Sequence, residues 1–297
     1  MKPTLPPIAE ILDLLPDAVC VVDVDGRFLY VSANFERILG YTPEEVLGRK
    51  AFDFVHPDDK AATVQQAARV TAGALQRHFR NRYIHKDGHS VDIQWSAQWV
   101  PEYGVRIAVA REVSELRRAE RELEYRASHD LLTGLPNRDR LQRELQEAVT
   151  HATQTGGGLA LLYLDLDGFK AANDRSGHIA GDRVLREVAD RLQEGLRQGD
   201  LVARVGGDEF VVLLPGCSDA ASARALADGL RARLRPPYSL PDGSISLDAS
   251  VGIACFPADG NDPESLLAHA DRAMYSAKRN GMPRHSTTRT AREGASS

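Results

Sequence analysis

The chain has 297 residues, of which 42% are hydrophobic and 24 are glycine, a composition typical of globular proteins with buried cores. Its length predicts two domains, because domains commonly have about 150 residues. The 37 Lys and Arg residues and the 42 Asp and Glu residues give a formal net charge of −5. This balance excludes a broad positive field, so we expect neither nucleic acid nor a membrane as a partner.

The cysteines and the apolar segments predict the compartment. Cys20, Cys217 and Cys255 lie far apart and form no CxxC pair, which excludes a zinc ribbon and a disulfide framework. No apolar stretch approaches the roughly 18 residues that a membrane-spanning helix needs, and the first ten residues lack the apolar region of a signal peptide. We therefore expect a soluble, cytoplasmic protein.

The N-terminal part of the chain alternates short β-rich runs with short helices. Residues 18–31 form two β-rich runs divided by Asp25-Gly26, a dipeptide that favours a tight hairpin turn. The helical segments that follow are interrupted by Gly40 and Gly48. A predicted helix and three predicted strands complete this α+β unit, over residues 56–70, 77–100 and 104–113.

Four sequences in this unit are distinctive: LPDAVCVVDVDGRFLYVSANFERILGY, EEVLGR, VHPDDK and KDGH, the last followed by a strand with two tryptophans. On these residues, the segment 8–114 resembles a PAS domain. The resemblance implies an antiparallel sheet with short helices, acting as a sensory or dimerising module. It names no ligand, because a fold alone does not determine a function.

The PAS ligand stays open. The predicted helix 57–70 has no histidine for a haem iron, and the segment has no cysteine where flavin-adduct photosensors carry theirs. A small organic ligand, a non-covalent flavin near Trp95 or Trp99, or no ligand at all are the alternatives, and in each case both tryptophans are predicted to lie in the core. We interpret the remaining histidines as surface or strand residues: His56, His78, His85 and His89.

A short amphipathic helix is predicted between the two halves, with a linker at residues 115–129. Leu116 and Leu123 lie seven residues apart in a segment dense in Arg and Glu. This narrow apolar stripe would bury too little to stabilise an isolated helix, so it is predicted to pair with its copy in a parallel coiled coil or to pack on a domain. A solvated monomeric helix is the alternative. The small, polar residues 285–297 predict a disordered tail.

The C-terminal half contains a predicted strand that ends in two acids. In LALLYLDLD, Asp165 and Asp167 are two residues apart, so both side chains are predicted to lie on one face of the strand. Paired acids at the end of a buried strand are costly unless a cation neutralises them. The alternative is that they are solvated acids or N-caps of the next helix.

A second acidic pair follows a glycine turn. Gly206 and Gly207 separate two β-rich runs, which predicts a hairpin, and Asp208 and Glu209 follow directly. A bulky phosphate can approach glycine backbone closely. Together, the four carboxylates of the two segments suit Mg²⁺ or Mn²⁺, which prefer oxygen ligands and commonly bridge substrate phosphates.

Five motifs occur in order in this half: DLLTGLPNR, LDLDGFKAANDRSGHIAGD, RVGGDEF, SVGIA and ADRAMYSAKRNG. On them, the segment 130–284 resembles the GGDEF domain of diguanylate cyclases, enzymes that condense two GTP molecules into cyclic di-GMP with release of two pyrophosphates. The resemblance implies a central sheet flanked by helices, like that of nucleotidyl cyclases. The predicted fold class of the chain is therefore α+β, with a PAS fold joined by a helical linker to a GGDEF domain.

The resemblance also implies roles for single residues. The metal ligands for two Mg²⁺ or Mn²⁺ ions per active site would be Asp165, the backbone carbonyl of Leu166, Asp208 and Glu209. The catalytic set would be Asp208, as proton acceptor, with Glu209 and Lys170, which steadies phosphate charge. The substrate-binding residues would be Asn173, His178, Asp182, Gly206, Gly207 and Lys278. Asp182 would accept hydrogen bonds from guanine, and its presence favours GTP over ATP.

The implied reaction is an in-line attack by the 3′-hydroxyl of one GTP on the α-phosphorus of another. Because each domain has one site and the product is two-fold symmetric, two GGDEF domains must face each other. The PAS domain and the linker helix are expected to form this homodimer. A non-catalytic cyclic di-GMP receptor is the alternative function.

Product inhibition is a further implication. Arg197 and Asp200 match the RxxD motif at the spacing of the family, and the arginine fork would grip cyclic di-GMP. Two positions depart from the family pattern. Asp228 stands where some relatives carry a second arginine, with Arg224 one turn earlier, and Met282 stands near a common phosphate-binding arginine, for which Lys278 or Arg284 would compensate.

Overall fold

The computed structural model describes residues 5–240, 243–280 and 285–286. The chain divides into two compact units, Met1–Glu122 and Leu123–Ser297. Among the described residues, every helix is too short or too polar to cross a bilayer. Cys20, Cys217 and Cys255 are all free thiols.

The N-terminal unit is built on a five-stranded sheet in the order β2-β1-β5-β4-β3, and all of its pairings are antiparallel. The strands are β1 (Ala18–Val22), β2 (Phe28–Val31), β3 (Gln76–Ile84), β4 (Ser90–Val100) and β5 (Val105–Glu112). The helices are α1 (Ile8–Leu14), α2 (Asn34–Leu39), α3 (Pro43–Val46) and α4 (Lys60–Thr71), with 3-10 turns at Ala51–Phe54 and Pro57–Asp59.

Local sequence explains the first elements of this unit. β1 and β2 form the predicted hairpin, with Gly26 at φ +78° in the turn. Thr42 and Glu45 form a reciprocal capping box at the start of α3. Phe28, Phe35 and other apolar side chains bury a common core between sheet and helices. The predicted antiparallel sheet with short helices is confirmed.

The two tryptophans of β4 differ in burial. Trp95 is buried in the core, as predicted. Trp99 is only partly buried, so its predicted core position is wrong. The reason is its register: Trp99 pairs with Arg106 close to the turn of the β4–β5 hairpin, beyond the section of strand that carries the buried Val91, Ile93 and Trp95.

The helix α5 (Ser114–Ser128) follows β5, and the boundary between the two units falls within it. Arg117 and Arg121 lie 3.9 and 3.5 Å from the carboxylate of Asp92. Every residue of α5 is at least partly exposed, and the side chains of Leu116 and Leu123 are 51% and 66% exposed. The apolar stripe predicted for this helix is therefore open in the single chain.

The C-terminal unit contains a five-stranded sheet in the order β12-β11-β6-β8-β7 and a separate β9–β10 hairpin. Its strands are β6 (Leu159–Asp167), β7 (Leu201–Gly206), β8 (Glu209–Pro215), β9 (Tyr238–Leu240), β10 (Gly243–Ile245), β11 (Asp248–Phe256) and β12 (His285–Ser286). Its helices are α6 (Arg138–Thr155), α7 (Phe169–Ser176), α8 (His178–Gln193), α9 (Ala220–Leu234) and α10 (Pro263–Asn280).

Both faces of the central strand β6 are covered. Ala160, Leu162 and Leu164 pack with α8 and α9 on one face. Leu161 and Tyr163 face the opposite side, with α6 and α10. This two-sided burial explains the almost unbroken apolar run of β6, which the sequence predicts as a buried strand.

Candidate active site

The acidic end of β6 lies between two neighbouring strands. Asp165, only 8% exposed, is opposite Glu209 of β8 and opposite Ser250 of β11. Ser250 donates its hydroxyl to both carboxylate oxygens of Asp167, at 3.0 Å each. Since residues opposite in register share a face, Asp165, Asp167 and Glu209 lie on one face of the sheet, the face that α6 and α10 cover.

The glycine turn brings the second acidic pair to the same place. Gly207, at φ +38°, and Asp208 connect β7 to β8. The backbone N–H of Leu166 donates to the carbonyl of Asp208 at 3.2 Å, which attaches the turn directly to β6. The hydroxyl of Tyr163 donates to Oε2 of Glu209 at 3.0 Å and orients that carboxylate.

Arg204 connects the glycine turn to Asp130. Its Nε and Nη2 donate to the carbonyl of Gly207 at 3.0 and 2.7 Å, and its Nη1 donates to Oδ1 of Asp130 at 2.9 Å. Burial alone would raise the pKa of Asp130, but the hydrogen bonds from Thr133 and Arg204 lower it overall. The DLLTGLPNR segment therefore fixes the turn that carries Asp208.

The charges of the site do not balance. Burial, and then the charge of Asp165, raise the pKa of Asp208. Lys278 of α10 donates to Oδ1 of Asp165 at 2.6 Å. Burial alone would lower the pKa of Lys278, but its hydrogen bond to Asp165 and the charges of Asp165, Asp167 and Asp208 raise it overall. The positive charges of Lys278 and Arg204 thus face four carboxylates near the turn, and Arg204 is also paired with Asp130.

This donor set fits a divalent cation. All of the side-chain donors are carboxylate oxygens, which Mg²⁺ and Mn²⁺ prefer. Burial, and then the charge of Asp165, raise the pKa of Asp208, so a nearby positive charge would stabilise its ionised form. Among the described residues, the carboxylate oxygens of Asp165, Asp208 and Glu209 are not all within 4.8 Å of one another. In this arrangement the three carboxylates would not all bind the same ion, which is compatible with ligands divided between two ions.

The residues expected to bind guanine lie on α7 and α8. Nδ2 of Asn173 is 3.0 Å from Nδ1 of His178, while Oδ1 of Asn173 is buried and has no hydrogen-bond partner among the described residues. A Cβ on Gly181 would lie 2.5 Å from that oxygen, so a larger residue there would displace the Asn173 side chain. A buried unpaired amide oxygen is costly, so Oδ1 of Asn173 is available to accept a hydrogen bond. Asp182 is partly buried one residue after Gly181, in the first half of α8.

Lys170 stands apart from this cluster. It is exposed in the first turn of α7, three residues after Asp167. Because its side chain is exposed and is not part of the carboxylate cluster, Lys170 would reach a phosphate only when a nucleotide is bound. Arg284 and Met282 lie outside the described residues, as do residues 287–297 of the predicted disordered tail.

Arg197 and Asp200, the residues predicted to bind the product, form an ion pair after α8. Nε of Arg197 is 3.1 Å from Oδ1 of Asp200, and Nη2 donates to the carbonyl of Pro215 at 2.9 Å. The Asp200 side chain is 3% exposed, whereas that of Arg197 is 66% exposed. The pair borders a cleft of about 360 Å³ that also contains Cys217 and Asp219. Asp200 is thus a buried anchor, and Arg197 is an accessible guanidinium.

On α9, the departure from the family pattern is evident in the packing. Asp228 lies 3.9 Å from Arg231, which in turn binds Asp248 at 3.2 Å. Asp228 thus takes part in an acidic and basic network of this domain. It adds no second guanidinium for a ligand.

The PAS unit contains an apolar cavity of about 70 Å³ between the sheet and α4. Nε1 of Trp95 donates to Oδ1 of Asn81, and Nδ2 of Asn81 donates to Oγ1 of Thr63, each at 2.9 Å. Arg106 also borders the cavity, and its burial lowers its pKa. Most of the lining is therefore apolar. The polar side chains Trp95, Asn81 and Thr63 already make hydrogen bonds with one another.

Four side chains of the site were not singled out from the sequence: Asp130, Tyr163, Arg204 and Ser250. Asp130 and Arg204 belong to the motifs DLLTGLPNR and RVGGDEF, so the motifs did contain a signal. For Tyr163, the signal was its two-residue spacing from Asp165, which places both on one face. Ser250 became evident only from the pairing of β11 with β6.

Comparison with known proteins agrees with these observations. The family model described as "Diguanylate cyclase, GGDEF domain" matches residues 127–284, and the model described as "PAS fold" matches residues 8–104. An uncharacterized signaling protein of Caulobacter vibrioides is 36% identical over 262 residues, which cover 88% of this chain and 32% of that protein. The diguanylate cyclase TpbB of Pseudomonas aeruginosa is 48% identical over 162 residues, covering 53% of this chain and 36% of TpbB.

Solved structures are similar over the C-terminal half. A form of Pseudomonas aeruginosa TpbB comprising only the GGDEF domain has a TM-score of 0.51 and 44% identity, covering 55% of this chain and 94% of that one. The coiled coil and GGDEF domain of DgcB from Caulobacter crescentus, in complex with c-di-GMP, has a TM-score of 0.54 and 29% identity, covering 59% and 93%. The chain spans about a third of the length of the two curated relatives. Because the GGDEF model matches more than half of its residues, the protein belongs to the GGDEF diguanylate cyclase family, with a PAS fold preceding the GGDEF domain.

Proposed function

We propose that the protein is a diguanylate cyclase that converts two GTP molecules into cyclic di-GMP and two pyrophosphates. The observation that carries the proposal is the convergence of acids at the end of β6, with the buried Asp165 opposite Glu209 and the turn that carries Asp208 hydrogen-bonded to Leu166. A receptor that only binds cyclic di-GMP through Arg197 would not need this costly cluster.

Each side chain has a proposed task. Asp165, the Leu166 carbonyl, Asp208 and Glu209 would hold two Mg²⁺ or Mn²⁺ ions, which when bound neutralise phosphate charge and make a hydroxyl easier to deprotonate. Asn173 and Asp182 would bind the guanine edge, with His178 next to Asn173. Gly206 and Gly207 would let the phosphates approach the backbone, while Lys170 and Lys278 would supply positive charge.

The bond changes follow from these positions. The 3′-hydroxyl oxygen of one GTP forms a bond to the α-phosphorus of the other, and the bond from that phosphorus to the β-phosphate oxygen breaks. Pyrophosphate leaves, and the hydroxyl proton passes to the carboxylate of Asp208, which lies in the turn beside β6. A second, identical transfer closes the ring.

A turnover assay tests the proposal. Purified full-length protein is incubated with GTP and Mg²⁺, and both pyrophosphate and cyclic dinucleotide are measured over a series of protein concentrations. We expect both products in a ratio of two to one, and none with ATP. Absence of both products at concentrations that give a dimer would contradict the enzyme and favour the receptor alternative.

Arg197 and Asp200 are expected to mediate inhibition of turnover by cyclic di-GMP. We propose that Arg197 and Asp200 bind cyclic di-GMP as an inhibitor, because an exposed guanidinium anchored by a buried carboxylate suits a phosphate and a guanine edge. Arg197→Ala should raise the half-inhibitory concentration of cyclic di-GMP by about tenfold or more, since a charged hydrogen bond contributes about 1.5–3 kcal/mol. The initial rate should not change. Arg143→Ala, which removes an exposed arginine of α6, is the control, and equal inhibition of both variants would contradict the assignment.

The exposed stripe of α5 predicts a dimer. We propose that the PAS domain and α5 form a homodimer that brings two GGDEF domains together and lets a PAS signal modulate turnover in the cytoplasm, where GTP is available. Leu116→Asp with Leu123→Asp should raise the protein concentration for half-maximal specific activity by about tenfold or more, because each buried leucine contributes about 1.5–3 kcal/mol. The matched control replaces both leucines with methionine. A pair of dilution curves that coincide would exclude α5 as the interface.

A further inference from the structure

We propose that His85, Asp87 and His89 form a binding site for a divalent transition-metal ion at the β3–β4 turn of the PAS unit. Nδ1 of His85 lies 2.9 Å from Oδ1 of Asp87, and Nδ1 of His89 lies 2.5 Å from the same oxygen. One ligand atom from each of the three side chains lies within 4.8 Å of the other two. Two imidazole nitrogens thus lie next to the same carboxylate oxygen.

The turn is held in place before any ion binds. The N–H of His85 donates to the carbonyl of His89 at 2.8 Å, and the N–H of Gly88 donates to the carbonyl of His85 at 2.9 Å. The two imidazole rings are stacked, with centroids 4.4 Å apart and an angle of 22° between the planes. The N–H of Asp87 donates to Nδ1 of His85 at 3.2 Å. The ligands are thus held close together, and the rings would turn from this stacked arrangement to share an ion.

Neighbouring elements fix the first ligand more firmly. The His85 ring packs so closely on Gly40 that a Cβ at that glycine would lie 2.6 Å from Cε1 of the ring. The N–H of Lys86 donates to the carbonyl of Leu39 at 2.9 Å, and Nζ of Lys86 lies 2.5 Å from Oε1 of Glu45. Lys86 is thus paired with Glu45 and not with Asp87, the carboxylate that the two histidines contact.

The donor chemistry selects the ion. Imidazole nitrogen suits Zn²⁺, Ni²⁺ and Cu²⁺, whereas Mg²⁺ prefers oxygen ligands and keeps its waters. The side chains of Asp87 and His89 are 64% and 57% exposed, so an ion has access and solvent can complete its coordination. The site is chemically distinct from the carboxylate cluster of the GGDEF domain.

The alternative is that these contacts are only a surface ion-pair network that stabilises the turn, and metal binding distinguishes the two. Zn²⁺ is titrated into the full chain, with any affinity tag removed, in millimolar Mg²⁺ to occupy carboxylate-only sites. We expect one Zn²⁺ bound per chain by the wild type. His85→Gln with His89→Gln should weaken that binding by at least about tenfold, the lower end of the loss seen even for residues that only support a ligand.

Two control variants and two measurements on the double variant make the result specific. His151→Gln removes an exposed histidine of α6, and Cys217→Ser removes the most accessible thiol; both should bind Zn²⁺ like the wild type. The thermal midpoint of the double glutamine variant without zinc shows that it is folded, and its GTP turnover in Mg²⁺ should not change. Zinc affinity that is the same in the double variant and the wild type, or that is lost in Cys217→Ser, would overturn the proposal, whatever the outcome of the cyclase assay.

Discussion

Replacing Asp208 with alanine should lower the rate of cyclic di-GMP synthesis by about 10³-fold or more, without loss of the fold. Removing one transition-state contact typically lowers a rate by roughly 10²–10³-fold. Because Asp208 is proposed both to bind an ion and to accept the proton, its loss should cost at least the upper end of that range. The fold should persist since Asp208 lies in a turn, and its removal relieves repulsion with Asp165. Pyrophosphate release and the thermal midpoint of the same preparation measure the two effects.

A matched control is available on α8. Asp190→Ala removes an exposed acid from the same domain, and it should leave both turnover and the thermal midpoint close to the wild-type values. If Asp208→Ala kept more than a tenth of the wild-type rate, the carboxylate cluster would not be the catalytic centre. A large fall in its thermal midpoint would instead mean that Asp208 supports the turn.

Gly252→Ala should destabilise the GGDEF domain by about 3 kcal/mol or more. A Cβ at this position of β11 would lie 1.9 Å from the carbonyl oxygen of Ala270 and 2.2 Å from the nitrogen of Met274. Both atoms belong to the backbone of α10, so the whole helix must move, and overpacking of a core typically costs about 1–3 kcal/mol even where side chains can adjust. Turnover should fall too, because α10 carries Lys278.

The domain offers its own reference for this substitution. Gly229 lies within α9, and a Cβ there would point into open space. Gly229→Ala should therefore stabilise the domain by about 0.5–1 kcal/mol, the usual gain from replacing glycine inside a helix. Urea unfolding of both variants measures the contrast. If the two variants had equal unfolding free energies, the close approach of α10 to β11 would be wrong.

Local sequence predicts most of the elements that build this protein. The hairpin turn at Gly26, the breaks at Gly40 and Gly48 and the start of α3 at Thr42 all depend on residues within a few positions of each other. The buried strand that ends at Asp165 is likewise evident from its composition. The predicted burial of Trp99 is wrong, because composition does not indicate that this residue lies next to the turn of the β4–β5 hairpin.

For the candidate site, the sequence by itself determined which residue types are available and their spacing along each segment, and its motifs pointed to the family. Only the tertiary structure decided which of them meet: Glu209 opposite Asp165, Arg204 between Asp130 and Gly207, and Lys278 on Asp165, across separations of up to 113 residues. The physical reason is that strand register and helix packing are set by the burial of side chains on both faces of the sheet. No local preference of the chain encodes these long-range pairings.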